Sequence, residues 1–498
     1  MHIKNKYIQY MYSYPHKTAY GPLEGVDLKS YFNHLKGQEN SLYFHVPFCQ
    51  YKCGYCNLFS LAGQSEEMME EYVSAMERQA SQIRDALPNG VEFADLTLGG
   101  GTPLILPEHL LERVFQMARG YFGFQPKGRQ IVVETSPNQT TDSKLKLLKE
   151  QGVTRLSIGV QSFQEKELQA VARLHSVESA KKALQSIKKA DFDCVNIDLI
   201  YGIPGQTKES LLDSLEQALA FEPEELFVYP LYVKPGTGLY ERMQSAKINC
   251  ASEPPVSACE QGVSTSEQNV AISEQGVAIS GQNVAISEQG VSISEQNDDM
   301  YLQAQLSDDT YILYQCVRET LVAKGYHPYS MRRFVKMKNN TQDNKQKQTN
   351  EPKISLCGFG NTLSIGCGGR SYLGNLHFCT PYAVKQSHCM EVVKEYIEKT
   401  DYLKVDLGYL LNEEEQRRRY VMKHILFDTG IYLPDYRMHF KSEPEQDYKV
   451  IAEWMQNGYA VKNEEFIALT EEGFALSDYL GPQLISEEVR CKMKQWSE

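Results

Sequence analysis

The chain has 498 residues, of which 42% are hydrophobic and 10% aromatic, a composition typical of a globular protein with about two or three domains. Its 51 basic and 64 acidic residues give a net charge of −13, which argues against broad electrostatic binding to nucleic acid. No stretch approaches roughly 18 uninterrupted apolar residues, and the N-terminal residues 1–8 contain no long apolar run, so neither a membrane span nor a signal peptide is indicated. Its 12 cysteines therefore predict reduced thiols and metal ligands in a cytoplasmic protein.

Residues 1–40 are aromatic and polar with few apolar runs, and they predict an N-terminal extension to the main domain. Within this extension, the run Tyr12–His16 reads Tyr-Ser-Tyr-Pro-His. Its simplest interpretation is an extended segment that packs tyrosine and proline against the rest of the protein.

Residues 41–245 alternate apolar, strand-like runs with longer charged and amphipathic runs. The predicted strands are Leu42–His45, Leu96–Leu98, Ile131–Glu134, Arg155–Gly159, Val195–Ile200 and Leu226–Tyr229, and the predicted helices between them are Glu66–Ala86, Pro107–Gly120, Ser143–Gln151, Val177–Ala190 and Lys208–Phe221. This alternation predicts successive βαβ units and a parallel sheet. Six units are fewer than the eight of a closed barrel, so we expect a partial (β/α)6 TIM-like barrel with its chemistry at the carboxyl ends of the strands.

The segment after the first predicted strand carries Cys49, Cys53 and Cys56 at C-x-x-x-C-x-x-C spacing. Thiolates bind iron–sulfur clusters, and three ligands on a four-iron cluster leave one iron open to a substrate or cofactor. Two other interpretations stay open on the loop alone. His45 could complete a four-ligand zinc site, or the three thiols could be unrelated buried side chains.

A glycine turn and a carboxylate follow the next two strands at the same predicted edge. Gly99, Gly100, Gly101 and Thr102 end the second strand, where glycine permits close backbone approach and lets backbone groups bond the amino group of a ligand. A tight turn alone would also account for three glycines. Glu134 ends the third strand, either as a carboxylate at the barrel mouth or as a solvated strand end.

Three polar residues belong to the fourth and fifth strand–helix units. Gln161 can both donate and accept hydrogen bonds, which suits a ribose or a carboxylate, and Arg173 could pair with a carboxylate as a charge-assisted fork. Asp198 lies inside an apolar strand, where an unpaired carboxylate is costly. The hydroxyl pair of a ribose or a structural hydrogen bond to a neighbouring strand would satisfy it.

The second half of the chain is expected to contain an insertion and two further units. Over residues 250–299 a seven-residue pattern recurs from Glu260 to Ser294, and we predict a flexible insertion without a catalytic role, because its apolar positions are two apart and its copies are polar. Residues 300–400 are expected to extend the core. Residues 401–498 predict a small, mostly helical, winged-helix-like domain.

The cysteine spacing, with Tyr55 before the last cysteine, resembles the radical S-adenosylmethionine (SAM) signature. The surrounding Tyr-x-His-x-Pro-Phe-Cys resembles the branch that contains oxygen-independent coproporphyrinogen III oxidase (HemN) and the heme chaperone HemW. The resemblance implies a [4Fe–4S] cluster on Cys49, Cys53 and Cys56, and SAM held at Tyr43, Tyr55, Gly99, Gly100, Gly101, Thr102, Glu134, Gln161, Arg173, Asp198 and Pro230.

Three smaller features bear on the same resemblance. Tyr12–His16 resembles an element upstream of the cluster in the oxidase, and the turn Cys357–Thr362 resembles the segment that returns to the cofactor pocket. Asn57 and Leu58 depart from the oxidase pattern, which has a further cysteine two positions after the last one. Cys-Asn-Leu-Phe-Ser, starting at Cys56, is more similar to HemW.

The resemblance implies a radical SAM oxidoreductase. In the prototype reaction an electron from the reduced cluster cleaves SAM, and the 5′-deoxyadenosyl radical abstracts hydrogen from a porphyrinogen propionate, which becomes a vinyl group by loss of carbon dioxide and one electron. The implied partners are a porphyrinogen or heme and a reductant such as flavodoxin or ferredoxin. The alternatives are a HemW-like heme chaperone and a radical SAM enzyme with an unrelated substrate.

Overall fold

The computed structural model describes residue 3 and residues 5–11, 13–251, 295–337 and 360–496, so the predicted seven-residue repeat lies outside the described residues. No helix in these ranges is both long enough and apolar enough to cross a membrane. The strands are β1 (Gly21–Asp27), β2 (Asn40–Val46), β3 (Phe48–Cys49), β4 (Leu61–Ala62), β5 (Phe93–Gly100), β6 (Gln130–Thr135), β7 (Arg155–Gln161), β8 (Cys194–Tyr201), β9 (Glu225–Pro230), β10 (Tyr326–Pro328), β11 (Arg333–Lys336), β12 (Asn361–Ile365), β13 (Arg370–Leu373), β14 (Leu376–Cys379), β15 (Lys404–Leu410), β16 (Ile431–Tyr432), β17 (Ala460–Lys462) and β18 (Phe466–Leu469).

The α-helices are α1 (Glu66–Ala86), α2 (Glu108–Phe122), α3 (Asp142–Glu150), α4 (Glu165–Ala170), α5 (Val177–Ala190), α6 (Lys208–Leu219), α7 (Gly238–Ala251), α8 (Glu295–Ala323), α9 (Gln386–Glu398), α10 (Glu413–Ile425), α11 (Leu433–Phe440), α12 (Pro444–Asp447), α13 (Lys449–Gln456), α14 (Glu471–Ala475), α15 (Ser477–Leu480) and α16 (Glu487–Gln495). Short 3-10 helices occupy Lys17–Ala19, Leu28–Ser30, Phe32–Leu35, Pro103–Ile105, Pro137–Gln139 and Gly481–Leu484.

Six parallel strands form the centre of the fold, in the spatial order β2-β5-β6-β7-β8-β9. The chain returns from each strand to the next through α1, α2, α3, the pair α4–α5, and α6. The predicted partial (β/α)6 barrel is therefore confirmed. The predicted helices Glu66–Ala86 and Val177–Ala190 have the bounds of α1 and α5.

Local sequence sets where these helices begin, and apolar burial sets which face they present. The Ser65 side chain accepts the Met68 amide at the start of α1, and capping boxes at Ser176 and Thr207 start α5 and α6. The apolar faces of these helices and the buried strand residues form one large hydrophobic core. Because strand side chains alternate between two faces, this core also fixes which side chains point to the barrel interior.

The central strands continue at both edges into a sheet of 13 strands. β12 pairs parallel with β2, and β13, β14, β15 and β1 follow in antiparallel pairs. At the other edge β11 pairs antiparallel with β9, and β10 pairs with β11. Both edges of the six-stranded unit are thus covered by further strands, which protects them from pairing with other chains.

A second hydrophobic core lies in the C-terminal region, around the sheet β16-β18-β17 and the helices after α9. The N-terminal arm belongs to this core through buried residues that include Met11, Tyr14 and Tyr20. The Tyr14 hydroxyl donates to Glu415 and lies 3.2 Å from Ser486 Oγ. The first and last parts of the chain therefore pack together.

A buried ion pair joins four distant segments. Arg332 donates to Asp478, and their side chains are only 4% and 1% exposed. The Tyr232 hydroxyl donates to the same carboxylate, and the Arg332 guanidinium carbon lies 3.8 Å from the ring centre of Tyr10. Because a buried charge without its partner is strongly unfavourable, this pair helps to hold the arm, the loop after β9, the start of β11 and α15 together.

We expect Asp478→Asn to lower the free energy of unfolding by about 3 kcal/mol, because Arg332 would keep a buried charge without a carboxylate partner. Urea unfolding followed by circular dichroism measures the change. Lys188→Gln is the control, since the Lys188 and Glu222 side chains of that ion pair are 53% and 66% exposed. The control should change the free energy by less than about 1 kcal/mol. Equal effects in the two variants would contradict the role given to the buried pair.

Candidate functional site

The carboxyl ends of the six central strands lie together at one end of the partial barrel. Tyr43, Val132, Glu134, Phe227 and Tyr229 keep solvent-accessible surface, whereas the residues on either side of each of them are buried. Alternation with a period of two places these accessible side chains on one face of their strands. These side chains therefore face the inside of the partial barrel.

The cysteine loop begins where β2 ends and is held by short backbone contacts. β3 and β4 pair in parallel and fix Cys49. The Gly54 amide donates to the Val171 carbonyl at 3.0 Å, which ties the middle of the loop to the segment after α4. Cys49, Cys53 and Cys56 are all free and half-buried.

Each of the three sulfurs has a different polar neighbour. The distances are 3.7 Å from Cys49 Sγ to Thr102 Oγ1, 3.0 Å from Arg173 Nη1 to Cys53 Sγ, and 3.9 Å from Cys56 Sγ to Ser60 Oγ. Burial raises the pKa of the Cys49 thiol to about 12, and the nearby Cys56 thiol adds to the rise. The sulfurs therefore lie near one another, and each has a different polar side chain beside it.

This donor set fits a cluster better than a single metal ion. Among the described residues, no three His, Cys, Asp or Glu side chains converge closely enough to hold one ion. An iron–sulfur cluster bonds each thiolate to a different iron, so its ligands can be spread more widely than those of one zinc ion. Three half-buried thiols on one loop are compatible with that arrangement.

His45 is engaged in structural hydrogen bonds. Its Nε2 lies 3.3 Å from the Phe59 carbonyl oxygen, which can only accept, so Nε2 carries the proton. Nδ1 then accepts from the Tyr43 hydroxyl at 3.2 Å. Burial lowers the pKa of His45 to about 4, which keeps the ring neutral. The interpretation of His45 as a fourth zinc ligand is therefore not supported by its contacts.

The Gly99–Gly101 turn touches the start of the cysteine loop through its backbone. The Gly101 amide donates to the Val46 carbonyl at 2.8 Å. A Cβ at Gly101 would lie 2.5 Å from the Phe48 carbonyl oxygen and 2.9 Å from Cys49 Sγ. Glycine is required here because there is no room for a side chain.

Glu134 faces the same turn from β6. Its Oε2 accepts the Gly100 amide at 3.2 Å. A Cβ at Gly99 would lie 2.9 Å from the Tyr43 hydroxyl and 3.0 Å from Glu134 Oε2. A carboxylate, a phenol and glycine backbone thus enclose a small polar space, which suits a ligand ammonium group.

Gln161 and Arg173 meet beside Cys53 at the end of β7. The pairing of β7 with β8 shifts register between Gly159 and Gln161, and Gln161 has a φ of 76°, which is rare for a residue with a side chain. Arg173 donates to Cys53 Sγ and to the Gly159 carbonyl, while its Nε is buried without a hydrogen-bond partner among the described residues. Strained backbone of this kind concentrates at functional sites.

Asp198 belongs to a short polar chain on the inner face of β8. Asn196 Nδ2 lies 2.6 Å from Asp198 Oδ1 and 2.7 Å from Ser157 Oγ. Burial raises the pKa of Asp198 to about 7, with the Asn196 hydrogen bond opposing the rise and the charge of Glu134 adding to it. The structural hydrogen bond therefore comes from the same strand, two residues away, rather than from a neighbouring strand.

Aromatic and aliphatic side chains also contribute to the site. Tyr55 and Tyr229 pack on a small apolar cluster with Ile200 and Ile203. Pro230 is buried at the end of β9, directly after Tyr229. Flat aromatic faces beside aliphatic side chains suit a planar group such as a nucleobase.

A group of four half-buried basic residues beside the site was not found from the sequence: His16, Lys17, Lys234 and Arg370. Burial, together with the charges of Lys17, Arg370 and Lys234, lowers the pKa of His16 to about 3. Burial and Arg370 lower the pKa of Lys17 to about 7, and thiols that include Cys56 oppose this. Lys17 Nζ lies 3.4 Å from the centre of the Tyr382 ring, and the Tyr382 hydroxyl donates to the Asn57 carbonyl at 2.6 Å, so Lys17 is near the cysteine loop. The members of the group come from three distant segments, so no local motif predicts it.

A second glycine-rich turn, Gly366–Gly369, follows β12 and lies against the backbone of His45. A Cβ at Gly366 would lie 2.5 Å from the His45 carbonyl oxygen. The prediction that Cys357–Thr362 returns to the pocket is wrong for the part that the structure describes. That part begins β12, which runs parallel to β2, so it lies at the amino ends of these strands, away from the cysteine loop.

Comparison with known proteins identifies the family of the barrel. A family model, the radical SAM superfamily, matches residues 43–218. The heme chaperone HemW of Bacillus subtilis (strain 168) is 33% identical over 210 residues, which are 42% of this chain and 55% of that protein. The oxygen-independent coproporphyrinogen III oxidase of Paracoccus denitrificans (strain Pd 1222) is 32% identical over 193 residues, 39% of this chain and 43% of that protein. The chain spans about half the length of these curated relatives.

A solved structure extends the likeness in fold beyond the barrel. Coproporphyrinogen III oxidase (HemN) from Escherichia coli superposes with a TM-score of 0.67 and 19% identity, over 92% of both chains. At this identity the comparison shows the shared fold alone.

We expect Gly100→Ala to lower the thermal midpoint more than Gly90→Ala. Both glycines have left-handed φ, 121° and 83°, so alanine costs about 1 kcal/mol of backbone strain at either position. At Gly100 a Cβ would also lie 2.8 Å from the His45 ring and from the Val46 carbonyl oxygen, whereas nothing lies within 4 Å at Gly90. Overpacking should add about 1–3 kcal/mol. Calorimetry measures both midpoints, and equal shifts would contradict the tight contact.

Proposed function

The chain belongs to the radical SAM superfamily, in the group of HemN-like and HemW-like proteins, and from this premise we propose that it is an oxidoreductase that acts on a porphyrinogen. Its relatives carry the names of both an oxidase and a chaperone, at about 30% identity.

The cofactors of this family are a [4Fe–4S] cluster and SAM, and the residues of the site fit both. When bound, they would supply one-electron cleavage of SAM and abstraction of hydrogen from a substrate. In our proposal Cys49, Cys53 and Cys56 hold the cluster, because they are three free thiols on one loop at the mouth of the barrel.

Each part of SAM has a group of suitable chemistry among the residues of the site. In our assignment Glu134 and the Gly99–Gly101 turn bind the ammonium group, and Gln161 and Arg173 bind the carboxylate. Asp198 accepts the ribose hydroxyls. The apolar cluster of Tyr55 and Tyr229, continued by Pro230, packs against the adenine. These side chains orient the cofactor and exclude water, while the radical chemistry belongs to the cofactor.

The observation that carries the substrate assignment is the position of Lys17 near the cysteine loop, with Arg370 and Lys234 close enough for their charges to lower the pKa of the neighbouring, neutral His16. A porphyrinogen with propionate side chains carries several carboxylates around one ring. Ammonium and guanidinium groups bind carboxylates through charge-assisted hydrogen bonds. Since the whole chain has a net charge of −13, a local basic group beside the site would attract a polyanion to this position in particular.

A HemW-like heme carrier is the second candidate. It is favoured by Asn57 and Leu58, which stand where the oxidase pattern has a further cysteine, and by the relative of that name. Heme also carries propionates, so the basic group suits both candidates. They differ in turnover, because a carrier binds and transfers heme without producing vinyl groups.

Anoxic incubation of the reduced, reconstituted protein with SAM and coproporphyrinogen III is expected to give 5′-deoxyadenosine and vinyl product, both measured by mass spectrometry. Cys53→Ala should abolish both products through loss of a cluster ligand. Arg370→Gln should keep the cluster but lower vinyl formation by about tenfold or more, since a charged hydrogen bond contributes about 1.5–3 kcal/mol. Arg437→Gln is the control, because Arg437 pairs with Glu443 in the C-terminal region.

The other outcomes of this experiment assign other functions. Deoxyadenosine without vinyl product would indicate an unrelated substrate. Stoichiometric heme binding and transfer without turnover of the porphyrinogen would support the carrier. Full SAM cleavage by Cys53→Ala would overturn the proposed cluster site.

We expect the affinity for SAM to rise between about pH 6 and pH 8, if hydroxyl donation to Asp198 holds the ribose. The pKa of Asp198 is raised to about 7, so the carboxylate is protonated below this pH and becomes a full acceptor above it. Asp198→Asn should bind SAM more weakly and without this pH dependence. Isothermal titration calorimetry measures both effects, and the same pH dependence in the variant would contradict the assignment.

A further inference from the structure

Glu167 is a buried carboxylate that none of the proposed SAM contacts involves. It lies in α4 and is only 4% exposed. Three neutral groups donate hydrogen bonds to it: Ser162 Oγ at 2.6 Å, Gln206 Nε2 at 2.9 Å and Ser210 Oγ at 2.5 Å. A buried carboxylate is costly without hydrogen bonds, so these three donors have to be held against it in the folded protein.

The first donor connects Glu167 to the end of β7. Ser162 is fully buried and directly follows Gln161, whose φ of 76° is unusual for a residue with a side chain. At the other end of α4, the Arg173 amide donates to the carbonyl of Leu168, the residue after Glu167, at 2.8 Å. Gln161 and Arg173 are the two residues proposed to bind the carboxylate of SAM. Glu167 therefore ties α4 to β7 between the two of them.

The other two donors connect Glu167 to the turn after β8 and to α6. Gln206 Nε2 also donates to the Ile200 carbonyl at 3.2 Å, so its side chain spans the turn. Ser210 lies in the first turn of α6. Ile200 packs with Val171, which follows α4, in the apolar cluster proposed to contact the adenine. The hydrogen bonds of Glu167 therefore join α4 to the part of the site proposed to hold the adenine.

We propose that Glu167 is a positioning residue for SAM, which holds the proposed carboxylate contacts and the proposed adenine contacts at a fixed separation. In this role it acts through Gln161, Arg173 and the apolar cluster, and not by contact with SAM. The inference rests on the proposed function, since it uses the SAM contacts assigned there. A site whose supporting hydrogen bonds are in place before the ligand arrives loses less conformational freedom on binding. Loss of the Glu167 carboxylate should therefore lower the affinity for SAM.

The three contacts also determine which substitution keeps the network. An ionised carboxylate can only accept hydrogen bonds, and all three neighbours donate. A glutamine at position 167 would accept from Ser162 and Gln206 with its oxygen. Its amide nitrogen would donate to Ser210 Oγ, because a hydroxyl can accept one hydrogen bond and donate another, and Ser210 Oγ already lies 3.1 Å from the Thr207 carbonyl oxygen. Glu167→Gln should thus keep the connections that Glu167→Ala removes.

The test measures the affinity for SAM of the reconstituted protein, with its cluster oxidised so that SAM is not cleaved. Isothermal titration calorimetry should show binding that is weaker by about tenfold or more for Glu167→Ala, and by less than about threefold for Glu167→Gln. Iron and sulfide analysis should find the same cluster content in both variants and in the unmodified protein.

Asp447→Ala is the matched control. Asp447 is a carboxylate in the C-terminal region that accepts hydrogen bonds from the Tyr436 hydroxyl at 2.6 Å and from Ser442 Oγ at 2.5 Å. Its removal should lower the thermal midpoint, as Glu167→Ala does, but leave the affinity for SAM unchanged. Equal loss of SAM affinity in the two alanine variants would mean that Glu167 only stabilises the fold, and would overturn the positioning role.

Unchanged SAM affinity in Glu167→Ala would also overturn this role. Should Glu167→Ala fail to fold, Ser162→Ala is the second variant, because it removes one donor beside Gln161 and leaves the carboxylate. It should weaken SAM binding about threefold, and unchanged binding would contradict the inference. Absence of SAM binding by the unmodified protein would overturn both proposals. A protein that binds SAM but forms no vinyl product would lose the proposed substrate, while the comparison of SAM affinities still judges Glu167.

Discussion

The backbone contact between the Gly99–Gly101 turn and the end of the first central strand is the constraint on which the site depends. It brings the two strand ends so close that a Cβ at Gly101 would lie 2.5 Å from the Phe48 carbonyl oxygen. The same approach lets Glu134 accept the Gly100 amide, and it places His45 against the turn. The cysteine loop is thus held by backbone packing that belongs to the protein itself, so the ligands are positioned by the fold.

Continuity of the sheet makes the two ends of the chain part of this site. β1 of the N-terminal extension pairs with β15, and the Tyr14 hydroxyl donates to Glu415 in α10. Arg370, at the start of β13, donates to Ser13 in the arm. These contacts fold the arm back over the barrel, and this places His16 and Lys17 next to the other two members of the basic group. Packing far from the cysteines therefore positions Lys17 and Arg370, which are proposed to recognise the substrate.

The site contains charges of both signs. Carboxylates lie inside the barrel, at Glu134 and Asp198, while Lys17 and Arg370 belong to the basic group beside the cysteine loop. Burial raises the pKa of Asp198 to about 7 and lowers that of Lys17 to about 7, because each charge loses hydration. A ligand group of opposite charge or with suitable donors would offset that loss. Glu134 and Asp198 thus favour an ammonium and hydroxyls, whereas Arg173 and the basic group favour carboxylates.

The sequence by itself determined the central fold and the chemistry of the inner site, because both are local. Strand and helix periodicity located the six units, and residues such as Cys49 and Glu134 follow their strands directly, so parallel pairing alone brings them to one edge. Only the tertiary structure decided the rest. The seven added strands and the basic group of His16 and Arg370 depend on contacts between segments far apart in the sequence. The hydrogen bonds of His45 and the left-handed φ of Gln161 depend on close packing. No local pattern in the sequence encodes either kind of contact.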